Sequence, residues 1–245
     1  MGLLDGWTPG CHTAGGITHS TYRRGRGPGV IVIHEVPGVT PEVIGFAEEV
    51  AAQGHTVVMP SLFGKPERGY GTLSTVSSLA QVCVSREFTK LARGRTAPVA
   101  VWLRSLARDL HEELGGIGVG AVGMCFTGGY ALAMMVDAPV VAPVLAQPSA
   151  PFPVGETRKR DLGLSPADLD VVRAKVNAGC QVLGLRFQED GLVGNRFETL
   201  RREFGDNFIA VEFPGAEHST LTAHRRQAGV ERVLAFFADK LGGPD

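Results

Sequence analysis

Short apolar runs recur along the chain, each closed by glycine, proline or a polar residue, and most are separated by a stretch with helical spacing. Gly29 to Ile33 (GVIVI) is the clearest, and HTVVMPSLFG from His55 to Gly64 is the next. Continuous apolar runs of this length suit strands buried on both faces, as parallel strands are. Between them, Thr40 followed by Pro41 predicts a helix start, with Phe46, Val50 and Ala51 facing inward and Gly54 as the stop. KPERGYG reads as loop, and Leu79 to Leu91 predicts a helix. From Pro98, VAVWLRSLARDLHEEL puts Val101, Leu103, Leu106, Leu110 and Leu114 on or near one face of a helix that Gly115-Gly116 ends. Ile117 to Val122 predicts a strand and Tyr130 to Val136 a helix. Ala138 to Gln147 predicts another strand, which leads into the proline-rich loop PSAPFPVG over the carboxyl edge of the sheet. Ser165 caps a helix running to about Asn177, with Pro166 next and Asp168 in its first turn. Gln181 to Phe187 and Phe208 to Phe213 predict strands, Asn195 to Phe204 a helix, and the segment from about His224 to Lys240 a last one.

Strands and helices alternate without a linker, a repeat or a low-complexity tract. The fold expected is α/β: a single domain with one doubly wound, mostly parallel sheet and helices on both faces. Residues 1–28, rich in Gly, Thr and Arg, predict an irregular arm or an edge hairpin, and residues 29–245 the domain proper.

Composition narrows the picture further. At 245 residues and 44% hydrophobic, the chain can bury a sizeable core. A formal net charge of −1 with dispersed Lys and Arg points away from nucleic acid. No apolar run approaches the roughly 18 residues of a membrane span. The N-terminus lacks the charged and apolar regions of a signal peptide. Cysteines 11, 83, 125 and 180 lie far apart, with neither a C-x-x-C pair nor metal-ligand spacing. A cytoplasmic monomer or small homo-oligomer without metal, organic cofactor or membrane partner is expected.

The chemistry centres on Ile117 to Met135. An apolar strand there turns through Gly123-Met124-Cys125-Phe126-Thr127-Gly128-Gly129 straight into a helix. Such a turn, with a nucleophile at its apex, is the nucleophile elbow usually written G-x-S-x-G. Cys125 stands where Ser is expected, and the second glycine comes one residue late. Small neighbours are needed because the apex backbone is strained and the helix passes close by. The helix N-terminus favours thiolate. A cysteine between strand and helix is also a common small core residue, so partners elsewhere decide the matter. In a doubly wound sheet the site lies beyond the carboxyl ends of the strands. Glu35, Asp190 and His218 each follow a predicted strand, and nucleophile, acid, His is the chain order of the α/β-hydrolase triad. The imidazole would take the thiol proton and return it to the leaving group, and the carboxylate would hold the imidazole tautomer.

At these residues the sequence resembles the dienelactone hydrolase family, the cysteine branch of the α/β-hydrolases, over roughly residues 28–240. The motifs are HEVPG (34–38), the GHTVVMPSLFG strand, GMCFTGG (123–129), EDGLVG (189–194) and GAEHS (215–219). The resemblance implies Cys125 as nucleophile, Asp190 and His218 as its partners, and Glu35 as an acid near the thiol that takes its proton when substrate arrives. It also implies an oxyanion hole from the backbone N–H groups of Val36 and Phe126. His34 is expected to be structural. Thr127 replaces a usual glycine, and Thr222 stands where the family's well-described lactonase has an arginine four residues after the histidine, with Arg225 and Arg226 following. Arg86 is a candidate cation for substrate binding, or a residue on a solvated helix face. A small ester or lactone is therefore expected as substrate, rather than dienelactone itself. The same triad would also serve a thioesterase or acyltransferase, and a non-catalytic ligand-binding or redox-sensing protein is the alternative of a different class.

Overall fold

Successive side chains of the strand Gly29–Ile33 enter two different cores, which is why its sequence shows no alternation: Val30 and Val32 join one cluster, Ile31 and Ile33 the other. This is seen in the computed structural model of the chain, which describes residues 2–71, 75–78, 88 and 96–242. The strands are β1 (Thr8–Ala14), β2 (Ile17–Arg24), β3 (Gly29–Ile33), β4 (Thr56–Ser61), β5 (Val119–Met124), β6 (Val140–Ala146), β7 (Val182–Phe187) and β8 (Phe208–Phe213). They form one sheet in the order β1-β2-β4-β3-β5-β6-β7-β8. The segment 1–28 supplies an edge hairpin, β1 with β2, which runs antiparallel to β4. All pairings from β4 to β8 are parallel.

The helices are α1 (Pro41–Ala52), α2 (Pro98–Leu114), α3 (Tyr130–Met134), α4 (Gly155–Lys159), α5 (Pro166–Asn177), α6 (Arg196–Phe204) and α7 (Gln227–Leu241). The apolar residues of α2, α3, α5 and α6 pack on one face of the sheet with Ile31 and Ile33. Those of α1 and α7 pack on the other with Val30 and Val32. Caps act as the sequence indicates. Thr40 Oγ1 accepts from the Val43 N–H at 3.3 Å, and Ser165 Oγ from that of Asp168 at 3.1 Å. No helix among the described residues is long and apolar enough to cross a membrane.

Several boundaries or faces differ from expectation; β5 runs Val119–Met124 rather than Ile117 to Val122, and Ile117 is 67% exposed. Val101 is 50% exposed. The buried stripe of α2 steps through Val99, Trp102, Leu103, Leu106 and Leu110, and position 101 falls outside those steps of three and four. The last helix begins at Gln227 rather than near His224, because the residues before it fold back as turns: His224 N–H donates to Ser219 O at 3.0 Å and Arg226 N–H to Thr220 O at 2.8 Å. The elbow helix stops at Met134, shortly before Pro139, rather than at Val136. The helix expected over Leu79 to Leu91 falls on positions that, Phe88 apart, lie outside the described residues, as does Arg86.

Parallel strands finish on one edge, and register aligns their ends: Ile33 with Gly123, Met124 with Ala146, Phe187 with Phe213. The loops over that edge are tied down by Arg196 at the start of α6, which is 1% exposed. Its guanidinium donates to Asp161 O at 2.8 Å, Leu192 O at 3.2 Å, Val193 O at 2.8 Å and Arg158 O at 3.1 Å, and also to Pro151 O. Burial pushes its pKa down to about 10, partly opposed by the charge of Asp161, so the group stays cationic at neutral pH. Arg196→Met would take the side-chain donor from all five carbonyls, of which Arg158 O alone has a second donor among the described residues, the Asp161 N–H at 3.3 Å. The expected cost is on the order of 3 kcal/mol in urea unfolding; a change below about 0.5 kcal/mol, as for an ordinary surface position, would show that the clamp is dispensable.

Candidate active site

β5 is buried throughout and ends at Met124, and the chain then turns at Cys125 with a φ of 54°. For a residue with a Cβ, this left-handed conformation costs about 1–2 kcal/mol. Neighbours impose it. Cys125 O accepts from the N–H groups of Gly128 at 2.9 Å and Ser149 at 3.0 Å. Thr127 Oγ1 accepts from Met124 N–H at 3.0 Å and lies 3.2 Å from Ile33 O and 3.0 Å from His34 O, so its hydroxyl fastens the elbow to the end of β3. That contact accounts for threonine at a position where glycine is usual. The late glycine is also explained: a Cβ on Gly128 would lie 2.5 Å from Pro148 Cα, and one on Gly123 would lie 2.2 Å from Thr127 O. The Cys125 sulfur is 3.4 Å from the buried Ser149 Oγ.

Beyond β7, Asp190 makes an Asx turn, its Oδ1 accepting from Leu192 N–H at 3.0 Å. Its Oδ2 accepts from His218 Nδ1 at 2.6 Å. With Nδ1 donating, Nε2 is the nitrogen left to exchange a proton, and it is buried. The Cys125 sulfur is near enough to the ring to favour the imidazolium. Burial works to lower the His218 pKa. The bond to Asp190, the thiol of Cys125 and the charge of Asp190 together outweigh it and raise the value to about 10.

Glu35, 1% exposed, follows β3 by two residues. Its Oε1 accepts from the hydroxyls of Tyr70 and Thr222, and its Oε2 from Ser219 Oγ at 2.8 Å and Gln147 Nε2 at 3.4 Å. Among the described residues its partners are neutral donors, an arrangement that suits a carboxylate, which only accepts. Burial, then the charge of Glu35, hold the Tyr70 phenol well above its ordinary pKa, so it stays a donor. His34 points elsewhere: Nδ1 meets Glu35 O at 2.9 Å, Nε2 accepts from Leu62 N–H at 2.9 Å, and burial pushes its pKa down to about 4. Its role is structural.

The structure thus brings Cys125, Asp190, His218 and Glu35 to one edge, with Val36 and Phe126 beside them in sequence. Arg86 lies outside the described residues. Arg225 pairs with Glu49 at 2.8 Å and Arg226 stacks on Phe187 at 4.9 Å, so neither replaces the missing arginine. Tyr70, Gln147, Ser149 and Ser219 were not singled out in the sequence. Gln147 carries a signal as a polar residue ending an apolar run, and Ser219 as the last residue of GAEHS.

Because the folded His218 pKa exceeds the 6.5 of a free imidazole, its protonated form stabilises the fold. That contribution is complete below about pH 6.5 and is lost as pH rises through about 10. His218→Gln should therefore flatten the fall of Tm across that window relative to the native protein. Parallel curves would show that the imidazole is not held as described.

The dienelactone hydrolase family model matches residues 16–238. Several hundred solved chains share the fold. One is a dienelactone hydrolase from Anabaena variabilis, with 15% identity, TM-score 0.64, and 96% of this chain and 98% of that one covered. Another is a dienelactone hydrolase-like promiscuous phosphotriesterase from metagenomic libraries (17%, TM-score 0.63, 96% and 98%). A cold-adapted esterase from an Arctic intertidal metagenomic library is a third (13%, TM-score 0.63, 95% and 93%). A search of curated proteins finds no match. At these identities the structures speak for the fold, and the match over residues 16–238 speaks for descent: the chain belongs to the dienelactone hydrolase family.

Proposed function

We propose that the protein hydrolyses small carboxylic esters or lactones through an acyl-Cys125 intermediate. The observation that carries this reading is the His218 ring, fixed by Asp190 at 2.6 Å with Nε2 left over beside a strained cysteine apex. The thiol proton rests on His218 as imidazolium, and the sulfur attacks the carbonyl carbon as thiolate. The N–H groups of Val36 and Phe126 hold the oxyanion. The tetrahedral species expels the alkoxide, which takes the proton from the imidazolium. Water, deprotonated by Nε2, then attacks the thioester; the acid leaves and the thiol is restored. Glu35 is the acid beside this pair, and Arg86 is the candidate contact for a polar group on the substrate.

A neutral acyl group is favoured. Phe126, next to the nucleophile, packs against Phe63 and Phe152 with ring centroids 6.1 Å apart in each case, and the described cations near the edge are engaged elsewhere. A 4-nitrophenyl ester of a short acid should give a burst equal to the enzyme concentration. Cys125→Ala should lower turnover by about a thousandfold or more, and Asp190→Asn by roughly 10²–10⁴-fold. Native protein that turns over neither short esters nor lactones would defeat the proposal.

A further inference from the structure

Gln147, the residue after β6, is fully buried and has a φ of 36°. A left-handed conformation at a residue with a Cβ persists where the surroundings over-determine it. Here they do so through every polar group the residue owns except its carbonyl. Its backbone N–H donates to Leu185 O in β7 at 2.7 Å. Side-chain Nε2 reaches Glu35 Oε2 at 3.4 Å, the longest of these bonds. Oε1 accepts from Thr220 N–H at 3.2 Å and Thr220 Oγ1 at 2.7 Å. A primary amide is suited to this place because it has one donor end and one acceptor end. A carboxylate demands the first and the Thr220 donors demand the second, so the amide has a single orientation.

The position of these contacts matters more than their number. Thr220 lies two residues beyond His218, in the turns that precede α7. Two residues beyond Gln147, Ser149 donates its N–H to Cys125 O at 3.0 Å and places its hydroxyl 3.4 Å from the sulfur. One strand exit therefore touches the imidazole loop with its side chain and the elbow with its backbone. The titratable groups around the amide are Glu35 and Tyr70, with Cys125, Asp190 and His218 at the neighbouring strand ends.

We propose that Gln147 is a positioning residue: its amide locks the His218 loop and Glu35 in register with Cys125, so that Nε2 faces the sulfur. This rests on the reading of His218 as base and Cys125 as nucleophile, but its test does not need ester turnover. Gln147→Met keeps the length and removes both polar ends. Gln147→Glu keeps the acceptor and sets a second carboxylate against Glu35, where two charges this close resist joint ionisation. The readout is the rate of Cys125 alkylation by iodoacetamide against pH, followed on its own peptide by mass spectrometry to separate Cys11, Cys83 and Cys180. With the imidazole misaligned, alkylation should be about tenfold slower near pH 6.5, and the gap should close above about pH 9.5, where a thiol ionises unaided. The Glu variant should lose at least as much near neutral pH. In ester turnover the loss should fall on kcat, with KM held within about twofold. Folded variants that follow the native alkylation profile, even with a lower Tm, would overturn the proposal and leave Gln147 a structural residue. Native protein without ester turnover would defeat the hydrolase reading alone, leaving the alkylation comparison to decide the role of Gln147.

Discussion

A left-handed cysteine is the constraint on which the rest of this edge depends. Nothing in the local sequence favours a φ of 54° at Cys125, so the conformation has to be held from outside. Strand order supplies the means. β3 lies on one side of β5, and its last carbonyls meet the Thr127 hydroxyl. β6 lies on the other side, and its exit brings Ser149 to Cys125 O. The sulfur is therefore placed by three adjacent strands together, each buried on both faces and unable to shift alone. Close packing turns a disfavoured dihedral into a fixed coordinate.

The two carboxylates at this edge are stabilised in different ways. Asp190 has a partner that can itself carry charge, and the pair shares a proton-dependent bond. Glu35 has hydroxyls and an amide. A buried carboxylate needs several hydrogen bonds to offset its lost hydration, and among the described residues Glu35 draws them from three separate loops. Ser219 and Thr222 belong to the loop that carries His218, so the anion gives order to a segment that has no helix or strand of its own. Charge burial and imidazole placement are in this sense one problem with one solution.

Much of the fold could be read from the chain because its signals are local. β3 follows from an unbroken apolar run and β8 from one broken only by Glu212, and α1 and α5 follow from a hydroxyl followed by proline. Cys125, Asp190 and His218 could be read because a parallel sheet sends every strand end to the same side. What could not be read depends on meetings between distant segments. Thr222 and Glu35 are 187 positions apart and Gln147 and Glu35 are 112 apart, and no periodicity encodes such a contact. Thr127 and the late glycine looked like departures from a pattern. They become intelligible only beside Ile33, His34 and Pro148. Val101 departs for a smaller reason: it lies beside the apolar stripe of α2 and faces away from it.

The clamp at Arg196 has a further consequence. All of its acceptors are main-chain oxygens, which never titrate and are present whatever residue stands at those positions. Acidification that dissolves the carboxylate pairs on the surface leaves this fastening untouched. The segment between Pro151 and Asp161 can thus change its side chains while keeping the attachment that ties it to the start of α6.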